Sequence, residues 1–316
     1  MKLALLTVGL LLAAAAVGAA VWAWAPDRAR VELERKYLRA SSDYVEAAGI
    51  RLHVRDSGIR SAAPIILLHG FGSSLQTWDA WAQTLGTEFR TIRLDLPGSG
   101  LSAADPAGDY SDARTLVVLN ALMDRLGVRR ASFVGNSIGG RIAWRFAAEN
   151  PERVDKLVLI SPDGFASPGF EYGKRPEVPA TLKLMKYFLP KPMLRMNLAP
   201  AYGNTARLRD ADVTRYYELL LAPGARAAMI ARLEQSVLPQ PEPLLRRIQA
   251  PTLLVWGEKD AMIPIANAAD YLRTISHARL VSFPTLGHVP HEEAPAESLP
   301  PVIQFQRAAS LSAPNG

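Results

Sequence analysis

Four short runs in this chain leave little choice of backbone. Pro64–Leu68 (PIILL), Ala131–Val134 (ASFV), Lys156–Ile160 (KLVLI) and Thr252–Trp256 (TLLVW) are apolar almost throughout, so each needs cover on both faces. Between and after them lie stretches of helical periodicity at Leu116–Leu126, Ser137–Glu149 and Ile265–Ile275. Doubly covered strands that alternate with helices belong in a parallel sheet. The same rhythm adds strands at Arg90–Asp95 and Arg279–Phe283, a strand pair Tyr44–Ala48 and Leu52–Arg55 around Gly49, and a last helix around Pro301–Ala309. The predicted fold class is α/β, with a mostly parallel eight-stranded sheet and helices on both faces.

The alternation stops between Phe165 and about Arg247. Helical patterns recur there at Thr181–Phe188, Val213–Leu221 and Arg226–Val237, but no clear strand does. We read 43–164 and 248–310 as the α/β core, 165–247 as a helical cap inserted beside the sheet's carboxyl edge, 26–42 as a charged connector, and 311–316 as a tail. The connector is expected to be partly helical over Arg28–Arg39. The insertion holds Phe170, Tyr172, Met185, Tyr187, Phe188, Met193 and Met196 alongside Lys174, Arg175, Lys183, Lys186, Lys191 and Arg195. One reading turns the apolar residues to the core and the cations to water. The other rests this surface on an anionic bilayer.

Residues 1–25 suggest the bilayer independently. Leu3 to Ala25 carry no charge, and as a helix they reach about 30–35 Å, enough to cross a hydrocarbon core. Trp22 and Trp24 lie at the far end, where indole rings favour the lipid–water boundary. The expectation is a membrane protein with a single-pass N-terminal anchor. The alternative is a cleaved signal peptide, for which Lys2, Leu3–Leu12 and the small residues Ala13–Ala20 supply the parts. Arg28, Arg30, Arg35, Lys36 and Arg39 against Lys2 put the following domain in the cytoplasm, whereas export puts it outside. The two cues point opposite ways.

Composition removes other chemistries. There is no cysteine, hence no thiol nucleophile, thiolate metal site or disulfide. The five histidines form no metal-ligand spacing, and no dinucleotide glycine motif opens a helix after the first strand, so neither a metal nor a cofactor is expected. The formal charge of +6 is spread along the chain instead of gathered on one arm, which argues against nucleic acid as a partner.

One glycine-rich turn carries chemistry. Gly135-Asn136-Ser137-Ile138-Gly139 fits G-x-S-x-G after a strand and before a helix, the setting that exposes a strained serine hydroxyl. It also leaves the backbone N–H of Ile138 at a helix N-terminus, ready for an oxyanion. The base expected is His288, which follows the last strand and so shares the carboxyl edge with Ser137. His291 reads as a surface or supporting residue, His53 lies in the first strand pair, and His277 ends a helix. For the orienting carboxylate, Asp260 in Gly257-Glu258-Lys259-Asp260 is favoured over Glu258, a solvated turn residue, and Asp163, which closes the preceding strand. His69-Gly70-Phe71-Gly72-Ser73-Ser74 follows PIILL, and the N–H of Phe71 is the natural second oxyanion donor. His69 is expected to hold that loop in shape.

Together these phrases resemble the α/β-hydrolase superfamily, in its capped members, from about Tyr44 to about Ala308. The blocks are HGFGSS, then Leu94–Gly100, GNSIGG, WGEKD and GHVPHEEAP, in the order nucleophile, acid, base. Ser137 departs from the haloalkane dehalogenases and epoxide hydrolases, which use an aspartate there. Gly-Asn-Ser is similar to hydrolases that cleave carbon–carbon bonds in ring-fission products, and also to many esterases. The resemblance implies a serine hydrolase of carboxylic esters or lipids. Carbon–carbon hydrolysis is the alternative, and a scaffold without chemistry a more distant one.

Overall fold

The apolar runs pair as expected. In the computed structural model, which describes residues 2–165 and 171–308, they form one eight-stranded sheet in the order β1-β2-β4-β3-β5-β6-β7-β8. The strands are β1 (Tyr44–Ala47), β2 (Ile50–Gly58), β3 (Pro64–Leu68), β4 (Arg90–Leu94), β5 (Ala131–Asn136), β6 (Val154–Ile160), β7 (Thr252–Gly257) and β8 (Ala278–Phe283). β1 and β2 pair antiparallel, as do β2 and β4, and every later pairing is parallel. The strand order steps back from β4 to β3 and then outward to β5, and at such a reversal a crevice opens at the carboxyl edge.

Helices cover both faces. α1 (Lys2–Ala23) and α2 (Arg30–Tyr37) precede the sheet, followed by α3 (Asp79–Leu85), α4 (Asp112–Arg125) and α5 (Ile138–Glu149). One core layer joins α4 and α5 to the sheet through Leu119, Leu122, Phe133, Trp144 and Phe146. The opposite layer uses Trp78, Trp81, Val134, Val158 and Phe305, burying α3 and the last helix. Each fully buried side chain of this size contributes about 1.5–3 kcal/mol, which is why short strands suffice.

The segment between β6 and β7 is helical. It contains α6 (Ala180–Lys183), α7 (Lys191–Leu198), α8 (Asp210–Leu220), α9 (Ala225–Gln235) and α10 (Glu242–Leu245). The periodicity over Thr181–Phe188 yields only the single turn of α6 and a 3-10 turn, and α7, which the sequence did not reveal, opens at Lys191-Pro192. After β7 come α11 (Ala268–Thr274), the short α12 (Pro290–Glu293) and α13 (Pro295–Ser298), and α14 (Pro300–Arg307). The tail 311–316 and Phe170 lie outside the described residues.

α1 is long and apolar enough to span a bilayer over Leu5–Ala23 and buries none of that length in the rest of the chain. At its end the chain docks. Ala25 N–H donates to Tyr187 O (2.9 Å) and Leu189 N–H to Ala23 O (3.0 Å), around a one-residue bridge between Trp24 and Phe188. The Trp24 indole stacks on Tyr187 and meets Phe188 edge-on. The connector continues the attachment, with Asp27 paired to Arg226 and both Lys36 and Tyr37 on Glu218. Burial pushes the Glu218 carboxyl up, but Lys36 and Tyr37 outweigh it and hold the group below its usual range.

Candidate active site

β5 runs into α5 with no room for a loop, and Ser137 takes the turn. Its backbone sits at φ 55°, ψ −122°, in the left-handed half of the map, where a side chain is strained. The flanking glycines permit it: a Cβ on Gly135 would lie 2.2 Å from Gly139 O, and one on Gly139 2.3 Å from Leu68 O. Asp163 N–H donates to Ser137 O at 3.1 Å and ties the turn to the end of β6. Ile138 is the first residue of α5, so its N–H stands at the helix's positive end.

The loop after β3 packs against that turn. A Cβ on Gly70 would come within 3.4 Å of Ser137 Cβ. Ser73 N–H closes a turn onto Gly70 O (3.2 Å), with Phe71 and Gly72 central and Gly72 at φ 66°. His69 fixes the loop, as the sequence suggested. Its Nδ1–H donates to Gly70 O (2.8 Å), and its Nε2 accepts from Leu96 N–H (3.0 Å). Behind it Asp95 accepts from Leu75 N–H, Leu101 N–H and His53 Nδ1–H, at 2.7, 2.9 and 2.7 Å. Asp95 stands in the Leu94–Gly100 block, and an acid directly after a buried strand was the available signal for this role. Burial pushes its carboxyl up, and these partners more than reverse the push.

His288 and Asp260 meet. Asp260 Oδ1 accepts from Met262 N–H and Ile263 N–H (2.8 Å each), and Oδ2 accepts from His288 Nδ1–H at 2.8 Å. A carboxylate only accepts, so Nδ1 carries the ring proton and Nε2 keeps its lone pair. The His288 backbone is held on both sides, its N–H by Ala201 O (2.8 Å) and its C=O by the Asn136 amide (2.9 Å). Asn136, the middle residue of Gly-Asn-Ser, thus faces the histidine loop. Glu258 is exposed and takes a hydrogen bond from Ser282.

Ser137 and His288 open onto one cavity of about 280 Å³, shared with Phe71, Ile138, Leu233, Met262 and Ile263 on its apolar side and Arg141, Asp163 and Ser236 on its polar side. Arg141 was not singled out from sequence, where a charge in a helix reads as a solvated face. It is buried, pairing with Asp163 at 2.5 Å and Asp112 at 3.0 Å, while Ser236 takes a hydrogen bond from its guanidinium at 3.1 Å. Burial raises the Asp163 carboxyl above its ordinary value, and Arg141 offsets this only in part.

His291 needs a correction. It is fully buried instead of lying at the surface, stacked on Trp78 at 4.1 Å between ring centroids, with Nε2 on Thr77. A histidine in a polar phrase looks solvated until Trp78 arrives from more than 200 residues away.

Comparison with known proteins agrees with this architecture. The chain is 29% identical to 2-hydroxy-6-oxo-6-phenylhexa-2,4-dienoate hydrolase of Burkholderia cepacia, over 76% of this chain and 86% of that one. It is 30% identical to pimeloyl-[acyl-carrier protein] methyl ester esterase of Nitrosomonas europaea, over 78% and 96%. Among solved structures, a bacterial membrane phospholipase A superposes with a TM-score of 0.71 at 26% identity, covering 97% of this chain and 98% of that one. The model of the alpha/beta hydrolase fold matches residues 63–295, most of the chain, and on that match the protein belongs to the α/β-hydrolase family.

Proposed function

We propose that this chain hydrolyses carboxylic esters through an acyl-enzyme, with Ser137 as nucleophile, His288 as general base and Asp260 as the acid that orients it. The observation that carries this reading is the 2.8 Å bond from His288 Nδ1 to Asp260, on an imidazole that shares its cavity with a serine at φ 55°. Ser137 Oγ attacks the carbonyl carbon while His288 Nε2 takes its proton, and Asp260 stabilises the imidazolium. The N–H groups of Phe71 and Ile138 receive the oxyanion. When the tetrahedral adduct collapses, His288 passes its proton to the departing alkoxide. Water, deprotonated by the same nitrogen, then releases the acid and restores Ser137.

Carbon–carbon hydrolysis is the second reading, because a relative bears a dienoate hydrolase name. The cavity argues against it. A dienoate carries a carboxylate, and the one arginine of this cavity among the described residues has 1% of its side chain exposed. Asp163, more exposed, would repel that group.

Residues 165–247 act as the cap, and α1 as a membrane anchor in this reading. The phospholipase likeness, which extends over the N-terminal segment, supports the anchor, as does the 0% burial of α1. p-Nitrophenyl esters of increasing chain length and a fluorophosphonate probe test the chemistry. Turnover with labelling at Ser137 is the expected result, and a folded protein that neither turns over nor labels overturns the reading.

A further inference from the structure

The cavity beside Ser137 has unlike walls, and the polar one is selective. Its arginine is not available to a ligand, since the guanidinium of Arg141 is saturated by Asp163, Asp112 and Ser236 and sealed from solvent. Asp163 keeps 18% of its side chain exposed and lines the cavity. What this wall presents is therefore a hydrogen-bond acceptor. Its position is rigid: Trp144 Nε1–H donates to Asp163 O (2.9 Å), Tyr271 O–H to Pro162 O (3.2 Å), and Asp163 N–H to Ser137 O (3.1 Å).

The chemistry fixes which part of a substrate lies there. His288 returns its proton to the departing oxygen, so the alcohol half of an ester leaves on the histidine side. Asp163 interacts electrostatically with His288 and so shares that side. The acyl half is left to the apolar wall of Leu233, Met262 and Ile263.

We propose that Asp163 is a leaving-group subsite, accepting a hydrogen bond from a free hydroxyl of the alcohol, so that the preferred substrates are esters of polyols such as glycerol. This rests on the ester-hydrolase reading above. No bond to Asp163 forms or breaks, and the hydroxyl keeps its proton throughout. A hydrogen bond to a carboxylate is worth on the order of ten- to a hundredfold in kcat/KM against a substrate that lacks the hydroxyl.

The test compares kcat/KM of the full-length protein in detergent on glyceryl monobutyrate, propyl butyrate and propyl 3-hydroxybutyrate. The glyceryl ester is expected to lead propyl butyrate by about tenfold or more. Asp163→Asn, with folding checked by thermal unfolding, is expected to narrow that lead several-fold, because it keeps shape and an acceptor but loses the charge. The wild-type comparison stands alone if the variant does not fold. Equal rates on the glyceryl and propyl esters, a preference only for the hydroxyl on the acyl chain, or a lead that folded Asp163→Asn keeps in full would each overturn the subsite and leave the ester reading in place. Cleavage of none of the three esters would overturn both.

Discussion

Ser137, His288 and Asp260 divide the work unequally, and substitution should show it. Ser137→Ala removes the attacking atom and should take ester turnover down by about 10⁴-fold or more. Asp260→Asn keeps the ring in place but offers Nδ1 an amide that can donate, which favours the wrong tautomer, and should cost on the order of 10³–10⁴-fold. Both are read as kcat on a p-nitrophenyl ester, and near-normal turnover by Asp260→Asn would return the orienting role to another carboxylate. The two buried histidines outside the reaction make a separate prediction. Burial lowers the affinity of His69 and His291 for a proton, strongly for His291. The unfolded chain takes up protons near pH 6.5 that the folded one refuses, so stability is full above that pH and falls below it, by about 1.4 kcal/mol per pH unit for each histidine. Urea midpoints at pH 7 and 5.5 should fall accordingly. His291→Gln should lose about half of this dependence, and an unchanged slope would mean that His291 titrates in the folded state.

At the scale of elements, the junction of β5 and α5 decides whether the site exists. A methyl at Gly139 would press on Leu68 O and His69 O at 2.3 and 2.6 Å, both backbone. Gly139→Ala should therefore push α5 off β3 and destabilise the protein by several kcal/mol, on the order of the worst core substitutions, with activity lost in any fraction that folds. Thermal unfolding and probe labelling of Ser137 read both effects, and a variant with unchanged melting would refute the packing argument. This junction was legible in the sequence because strand, glycines and helix are contiguous. The strands were legible for the same local reason: burial on both faces writes itself into consecutive residues. The Arg141–Asp163–Asp112 cluster was not, since its members lie 22 to 29 residues apart and each looks like an ordinary surface charge by itself. The cap helices were blurred by prolines and by apolar residues that do not all face inward: Tyr187, Met193 and Met196 are more than half exposed.

At the scale of the molecule, the N-terminal segment and the cap form one attachment. Arg28, Lys36 and Tyr37 converge on Glu218, and Arg28 N–H donates to Leu221 O at 2.7 Å, across separations of about 190 residues that no local pattern reveals. The exposed Tyr187, Met193 and Met196 follow the docked Trp24 in the same stretch of cap. Removing residues 1–21 spares Trp24 and Ala25, so turnover of soluble short-chain esters should stay within about twofold while binding to anionic lipid vesicles, measured by flotation, falls at least several-fold. Equal flotation with and without α1 would leave the cap as the main membrane contact. Loss of soluble turnover would mean that α1 itself supports the fold.

The main-chain bridge between Trp24 and Phe188 also bears on proteolytic maturation. A signal peptidase cutting among the small residues Ala13–Ala20 would leave a new end only a few residues before Trp24. That stub would not dangle, because Ala23 and Ala25 are already hydrogen-bonded to the cap and Ala25 is buried. Cleavage would change the address of the enzyme without loosening its cap, and a trimmed chain and a whole one would hand their substrates to the same cavity.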